Sequence, residues 1–93
     1  MVKETGFGLV RFSSKTGKVD TCMNSMGTAM LSLWALQNTT KTKTCLVFDL
    51  EDGKVMEEYK GSADGFPKVR KSLDWTIDAP VLEAVRADYS KRR

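Results

Sequence analysis

The stretch 44–60, TCLVFDLEDGKVMEEYK, has the strongest secondary-structure pattern in the chain. A mostly apolar run over 45–50 precedes an alternating segment over 55–59, and Asp52 and Gly53 lie between them. An Asp-Gly pair tolerates the positive φ angles that a tight two-residue turn requires. The stretch therefore predicts a β-hairpin.

A hairpin with Asp52 and Gly53 as its loop residues pairs Leu50 with Val55, and this register predicts the composition of both faces. One face is formed by Leu46, Phe48, Leu50, Val55 and Tyr59. The opposite face carries Cys45, Val47 and Met56 among charged side chains. Because 45–48 is apolar on both faces, we expect the first strand inside the sheet and the charged second strand at its edge.

The region before the hairpin combines a strand pattern with a helix pattern. The segment 7–13, FGLVRFS, has strand-forming residue types and is followed by a cluster of turn formers. Residues 18–22 either return as a second strand or belong to the connection, and the sequence leaves both open. From residue 21 onward, apolar residues recur at spacings of three and four, which predicts a helix over about 21–37.

The apolar stripe of this predicted helix has two interpretations. In the first, the helix lies across the sheet of the hairpin and buries the stripe. In the second, the stripe is a partner-binding surface, because methionine adapts to varied partners. The stripe consists of Met23, Met26, Met30, Leu33 and Gln37.

Two short helices are predicted near the C-terminus. Pro67 is acceptable in a first helical turn, and the apolar residues after it predict a helix over about 67–74. Asp78 is a suitable cap, and Val81, Leu82 and Val85 then share one side of a helix over about 79–90.

Taken together, the 93 residues predict a single α+β domain over 1–93 with a modest core. We expect two layers, with an antiparallel sheet of three or four strands packed against one longer helix and two short C-terminal helices. The order is β-(β)-α-β-β-α-α. The N-terminus lacks a secretory pattern and the longest apolar stretch is too short to span a bilayer, so a cytoplasmic, non-membrane protein is expected.

Catalytic and metal-binding patterns are sparse. The chain has no histidine, which removes the commonest general base and metal ligand. Cys22 near the start of the predicted helix is a candidate nucleophile, since helix N-termini favour thiolates, and a packed thiol is the alternative. Asp49, Glu51 and Asp52 cluster in the hairpin, but their spacing matches no calcium-binding loop. We therefore predict no metal, no cofactor and no enzymatic activity.

A basic surface is the candidate binding site of the sequence. Cations beside an aromatic ring can hold phosphates and stack on a base, whereas a solvated helix face is the alternative. The residues concerned are Lys68, Arg70, Lys71, Trp75 and Arg86, with the C-terminal tail 91–93.

Three function classes follow, and they are ranked. The first is a non-catalytic protein-interaction module, self-associating as a homodimer or binding another protein through Cys45, Val47 and Met56 if that face of the sheet is uncovered. The second is a nucleic-acid-associated protein that uses the basic surface and the tail. The third is an enzyme that uses Cys22 or carboxylates.

Overall fold

A computed structural model describes residues 6–91, with side chains up to residue 87. Within this range the chain forms one antiparallel sheet in the order β2-β1-β3-β4-β5 and two helices. The elements are β1 (Phe7–Ser13), β2 (Val19–Ser25), α1 (Thr28–Asn38), β3 (Lys43–Asp49), β4 (Val55–Lys60), β5 (Lys68–Lys71) and α2 (Ala79–Lys91). The predicted α+β class and antiparallel sheet are confirmed, while the numbers of strands and helices differ in detail.

The sheet carries one helix on each face, so the described chain has three layers instead of the expected two. On the α1 side the buried residues are Leu9, Leu31, Ala35, Cys45, Val47 and Tyr59. On the α2 side they are Val10, Leu46, Phe48, Leu50, Val55, Leu73, Ile77, Leu82 and Val85. Because β1 and β3 are apolar on both faces, both faces require a cover.

The predicted central hairpin is present as β3 and β4, and β3 lies inside the sheet as expected. Its loop is longer than two residues, because the Asp49 N–H donates to the Lys54 carbonyl at 2.9 Å. Gly53 has the expected positive φ, 76°. Leu50 leaves the strand pairing and is buried in the α2-side core, so burial of this side chain accompanies the longer loop.

A bulge in β4 changes the predicted register. Phe48 pairs with Val55, but Cys45 pairs with Tyr59, and the register shifts between Val47 and Phe48. One extra residue in a strand moves every later side chain to the other face. The sequence predicted Tyr59 on the same face as Leu46 and Phe48, but Tyr59 lies on the α1 side.

The predicted 21–37 helix is corrected at its beginning. Residues 19–25 form β2, which settles the open alternative for 18–22 in favour of a return strand, and the helix begins only at Thr28. Pairing with β1 satisfies the backbone of this segment, and Gly27, in an extended conformation, precedes the helix. Tertiary pairing has overridden a helical spacing that local sequence favours.

The predicted 67–74 helix is wrong, because these residues contain the strand β5. β4 was expected at the edge of the sheet, but it lies between β3 and β5. Residues 73–78 then continue along the same edge of β4. There the Val55 N–H donates to the Trp75 carbonyl at 3.0 Å and the Ile77 N–H donates to the Gly53 carbonyl at 2.8 Å. An open strand edge offers backbone partners that a single exposed helical turn lacks. The last helix, Ala79–Lys91, agrees with the predicted 79–90.

Candidate interaction surface

The α1 helix carries no charged residue, and it is apolar on both its inner and outer sides. Residues 21–40 contain no Asp, Glu, Lys or Arg, although 29% of the chain is charged. Leu31 and Ala35 are buried against the sheet. A helix that is apolar all round is typical of an element covered on every side.

The outer side of α1 is nevertheless exposed in the single chain. Met30 is 70% exposed, Leu33 is 51% exposed, and Met26, which precedes the helix, is 64% exposed. Leu36 is also exposed. At 3.6 residues per turn, positions 30, 33 and 36 fall within one outward arc of about 120°. We call this surface the α1 patch, and it consists of Met26, Met30, Leu33 and Leu36.

A groove lies beside the α1 patch, between β2 and α1. Its volume is about 330 Å³, and its lining includes Met23, Met30, Leu33 and Trp34. The indole of Trp34 is stacked under the guanidinium of Arg11, 5.3 Å from the ring centroid. The patch therefore continues into a concave surface that could receive a side chain from another molecule.

The rotation of α1 is fixed by a hydrogen-bonded carboxylate on β4. The hydroxyl of Ser32 donates to Glu57 Oε1 at 2.7 Å, and the hydroxyl of Tyr59 donates to the same oxygen at 2.6 Å. Burial, together with the Glu57 hydrogen bond, raises the pKa of Tyr59 to about 12. These contacts fix which side of α1 faces the sheet. The opposite, apolar side of the helix is therefore held toward the outside.

A second set of contacts fixes the C-terminal end of α1. Arg11 Nε lies 2.9 Å from Asp20 Oδ1, and Lys43 Nζ lies 2.6 Å from Asp20 Oδ2. Arg11 also donates to the carbonyl of Asn38 at 3.2 Å. Hydrogen bonds from Lys43 and Arg11 hold the pKa of Asp20 well below its ordinary value of 3.8. The cluster links the end of α1 to β1, β2 and β3.

The residues predicted to form the interaction surface do not lie together on the outside. Cys45 and Val47 are buried beneath α1, and Met56 is partly buried at the bulge of β4. The assignment of Cys45 and Val47 is therefore corrected, because α1 covers the face that the sequence left open. The exposed apolar surface lies one layer further out.

The predicted nucleophile also occupies a different setting. Cys22 lies within β2 and not in the first turn of a helix, so the dipole argument for its reactivity no longer applies. Cys45 is a free thiol, and its burial raises its pKa above the ordinary value. Cys22 is partly buried and packs against the α2-side core.

The predicted basic surface is only partly assembled. Lys68, Arg70 and Lys71 are exposed on β5. Arg86 instead donates to the carbonyls of Leu50 and Glu51, at 2.9 and 2.7 Å, and so connects α2 to the β3–β4 loop.

Trp75, the aromatic member of the predicted basic surface, is exposed beside an apolar groove of about 290 Å³. Phe12, Val19 and Val81 also line this groove. Residues 92 and 93 of the predicted tail lie outside the described residues. Lys68, Arg70 and Lys71 thus share one strand, and Arg86 is engaged elsewhere.

Two of the three residues in the predicted carboxylate cluster line a groove. Asp49 and Asp52 face it together with Glu57, and Lys54 and Lys71 complete the lining. Among the described residues, no three potential ligands are grouped in a way that could hold a metal ion.

Within residues 6–91, neither helix has the length and apolar character needed to cross a membrane. Comparison of the chain with protein-family models, with curated proteins and with solved structures found no match.

Proposed function

We propose that this chain is a non-catalytic protein-interaction module that self-associates as a homodimer through the α1 patch. The observation that carries the proposal is the exposure of Met30 and Leu33 on a helix without a charged residue. Contiguous apolar surface of this kind is uncommon on a monomer, and it is stabilised when a second protein removes it from water.

A second copy of the chain fits this surface because the surface carries no charge. A twofold interface brings the same surface of both protomers together, so any charge near the axis meets its own sign. Residues 21–40 contain no charge, and the α1 patch can therefore face its copy without repulsion. Ala29, exposed beside the patch, is small enough to let two helix backbones approach closely.

The groove beside α1 strengthens the same proposal. In a helix-to-helix contact, a side chain from one protomer can enter the groove lined by Met23 and Trp34 on the other. The unbranched, flexible side chains of Met23 and Met30 can adjust to the fit.

The test is light scattering on a sizing column at low and at high salt. We expect the wild-type chain to form a dimer at both, because apolar contacts are not screened by salt as charge pairs are. The variant Leu33→Glu should be monomeric, since it places two like charges in a twofold apolar interface.

The matched control is Phe66→Glu, which adds the same charge at a side chain that is 75% exposed outside the α1 patch. This control should remain a dimer. Far-ultraviolet circular dichroism of both variants establishes that each is folded. A wild-type chain that is monomeric at all concentrations, or a Leu33→Glu variant that stays dimeric, contradicts the proposal.

A further inference from the structure

The strand β5 combines a dense positive charge with a position at the end of the described sheet. Its sequence is KVRK, and all four residues are exposed. Phe66 and Val69 add exposed apolar surface on and beside the strand. Charged side chains on a protein surface usually need no explanation beyond their contact with water. A strand at the edge of a sheet, however, also presents unpaired backbone N–H and C=O groups.

The pairing of β4 and β5 determines which of these groups face outward. The Ser72 N–H donates to the Met56 carbonyl at 2.9 Å, one step beyond the pair of Lys71 with Glu57. In an antiparallel ladder, hydrogen-bonded and non-bonded pairs alternate. Val69 and Lys71 therefore direct their backbone N–H and C=O groups away from β4.

The side chains of β5 place positive charge on both faces of this edge. Lys68 and Arg70 alternate with Val69 and Lys71, so the two pairs point to opposite faces. Arg70 Nη1 lies 3.6 Å from Glu58 Oε1. Across the paired positions of β4 and β5, Glu57 and Glu58 are outnumbered by four cations, Lys60, Lys68, Arg70 and Lys71.

We propose that the β5 edge binds an extended acidic segment of another protein, which adds to the sheet as a further strand. This inference is independent of the homodimer at the α1 patch. The backbone groups of Val69 and Lys71 supply the ladder, and the side chains supply selectivity. Acidic residues opposite Lys68, Arg70 and Lys71, with an apolar residue opposite Val69, match the strand.

Two other occupants match the edge less well. A second copy of β5 would place cations against cations, which cross-strand pairing disfavours. A nucleic acid needs phosphate-binding groups on one surface, whereas β5 divides its cations between two faces, with Lys68 and Arg70 on one and Lys71 on the other.

The experiment titrates the full chain into a fluorescein-labelled peptide, Thr-Glu-Glu-Val-Glu-Thr, and follows anisotropy. In antiparallel pairing its central residues lie opposite Lys71, Arg70, Val69 and Lys68 in turn. We expect saturable binding. The same peptide with N-methyl groups on the valine and the first glutamate keeps its charge but loses two ladder donors, so its affinity should fall about tenfold or more.

Protein variants test the same edge from the other side. Val69→Pro removes one N–H that points outward and makes no hydrogen bond to β4. This variant should weaken binding about tenfold. Lys68→Gln with Lys71→Gln should also weaken it. The matched control is Lys15→Gln with Lys18→Gln, two exposed lysines of the β1–β2 turn, which should leave binding unchanged. Leu33→Glu should bind the peptide like the wild type, because the α1 patch is a separate surface.

Equal binding of the N-methylated and unmodified peptides would overturn strand addition, and this result does not depend on whether Val69→Pro folds. Absence of peptide binding would overturn it as well. A labelled single-stranded oligonucleotide that binds, weakens with Lys68→Gln and Lys71→Gln and is indifferent to Val69→Pro, while the peptide does not bind, would identify a phosphate-binding surface instead.

Discussion

The two helices cover opposite faces of one sheet, yet their outer sides differ. In α2, Leu82 and Val85 are buried while Glu83 is exposed, which is the usual pattern of a helix between core and water. In α1, Leu31 is buried and Leu33 is exposed two residues later. Packing within the single chain accounts for the apolar side chains that α2 buries among the described residues. It does not account for the apolar outer side of α1, and this is why we propose that a second molecule covers it.

The largest expected effect compares two leucines on the same helix. Leu31→Ala should lower the free energy of unfolding by about 3 kcal/mol, because it leaves a cavity against the sheet. Leu33→Ala should lower it by less than about 0.5 kcal/mol in dilute protein, since its side chain faces outward there. Urea unfolding at low protein concentration measures both. Equal losses would mean that Leu33 is already packed in the monomer, and the contrast between the helices would disappear.

A smaller effect compares the contacts that hold each helix. Arg86→Ala removes charged hydrogen bonds from α2 to the Leu50 and Glu51 carbonyls and should cost about 2 kcal/mol. Ser32→Ala removes one hydrogen bond from α1 to Glu57 and should cost about 1 kcal/mol. Thermal or urea unfolding gives the order. The reverse order would indicate that α1 is the more tightly held helix.

The smallest expected effect is a change in folding stability at alkaline pH, which comes from Tyr59 on the α1 side of the sheet. The pKa of Tyr59 rises from 10.0 to about 12 on folding, so the neutral phenol contributes stability that is complete below pH 10. That contribution is lost as pH rises through 12, because the folded state holds the proton more tightly than the unfolded state. We expect the stability difference between wild type and Tyr59→Phe to shrink between pH 10 and 12.

The control for this measurement is Arg86→Ala, which leaves Tyr59 and Glu57 in place. Its difference from wild type should stay constant between pH 10 and 12. If the Tyr59→Phe difference is equally constant, the hydroxyl of Tyr59 does not titrate as the Glu57 contact requires.

Several elements could be predicted from local pattern alone. The alternation over 55–59 and the Asp52-Gly53 pair predicted the hairpin, and Gly53 does adopt a positive φ. The strand at 7–13 and the last helix, with Asp78 before it, were also predictable, because periodicity and turn residues act within a few positions.

The errors arose where distant partners compete with local preference. Residues 21–25 have helical spacing but pair with β1, and residues 68–71 pair with the exposed edge of β4. The bulge opposite Val47 and Phe48 has no local signature, yet it moves Tyr59 to the α1 side. A ladder between strands is decided by both strands, and one segment read alone carries half of the information.

Part of the candidate surface could be predicted from local sequence, and part of it depends on residues distant in the chain. The stripe containing Met26, Met30 and Leu33 is visible in the sequence, and the absence of charge from 21–40 can be read directly. The sequence by itself thus determined an α+β chain with a central hairpin and an uncharged apolar helix. Only the tertiary structure decided which side of that helix is buried, because both sides are apolar and the choice depends on the hydrogen bond from Ser32 on α1 to Glu57 on β4.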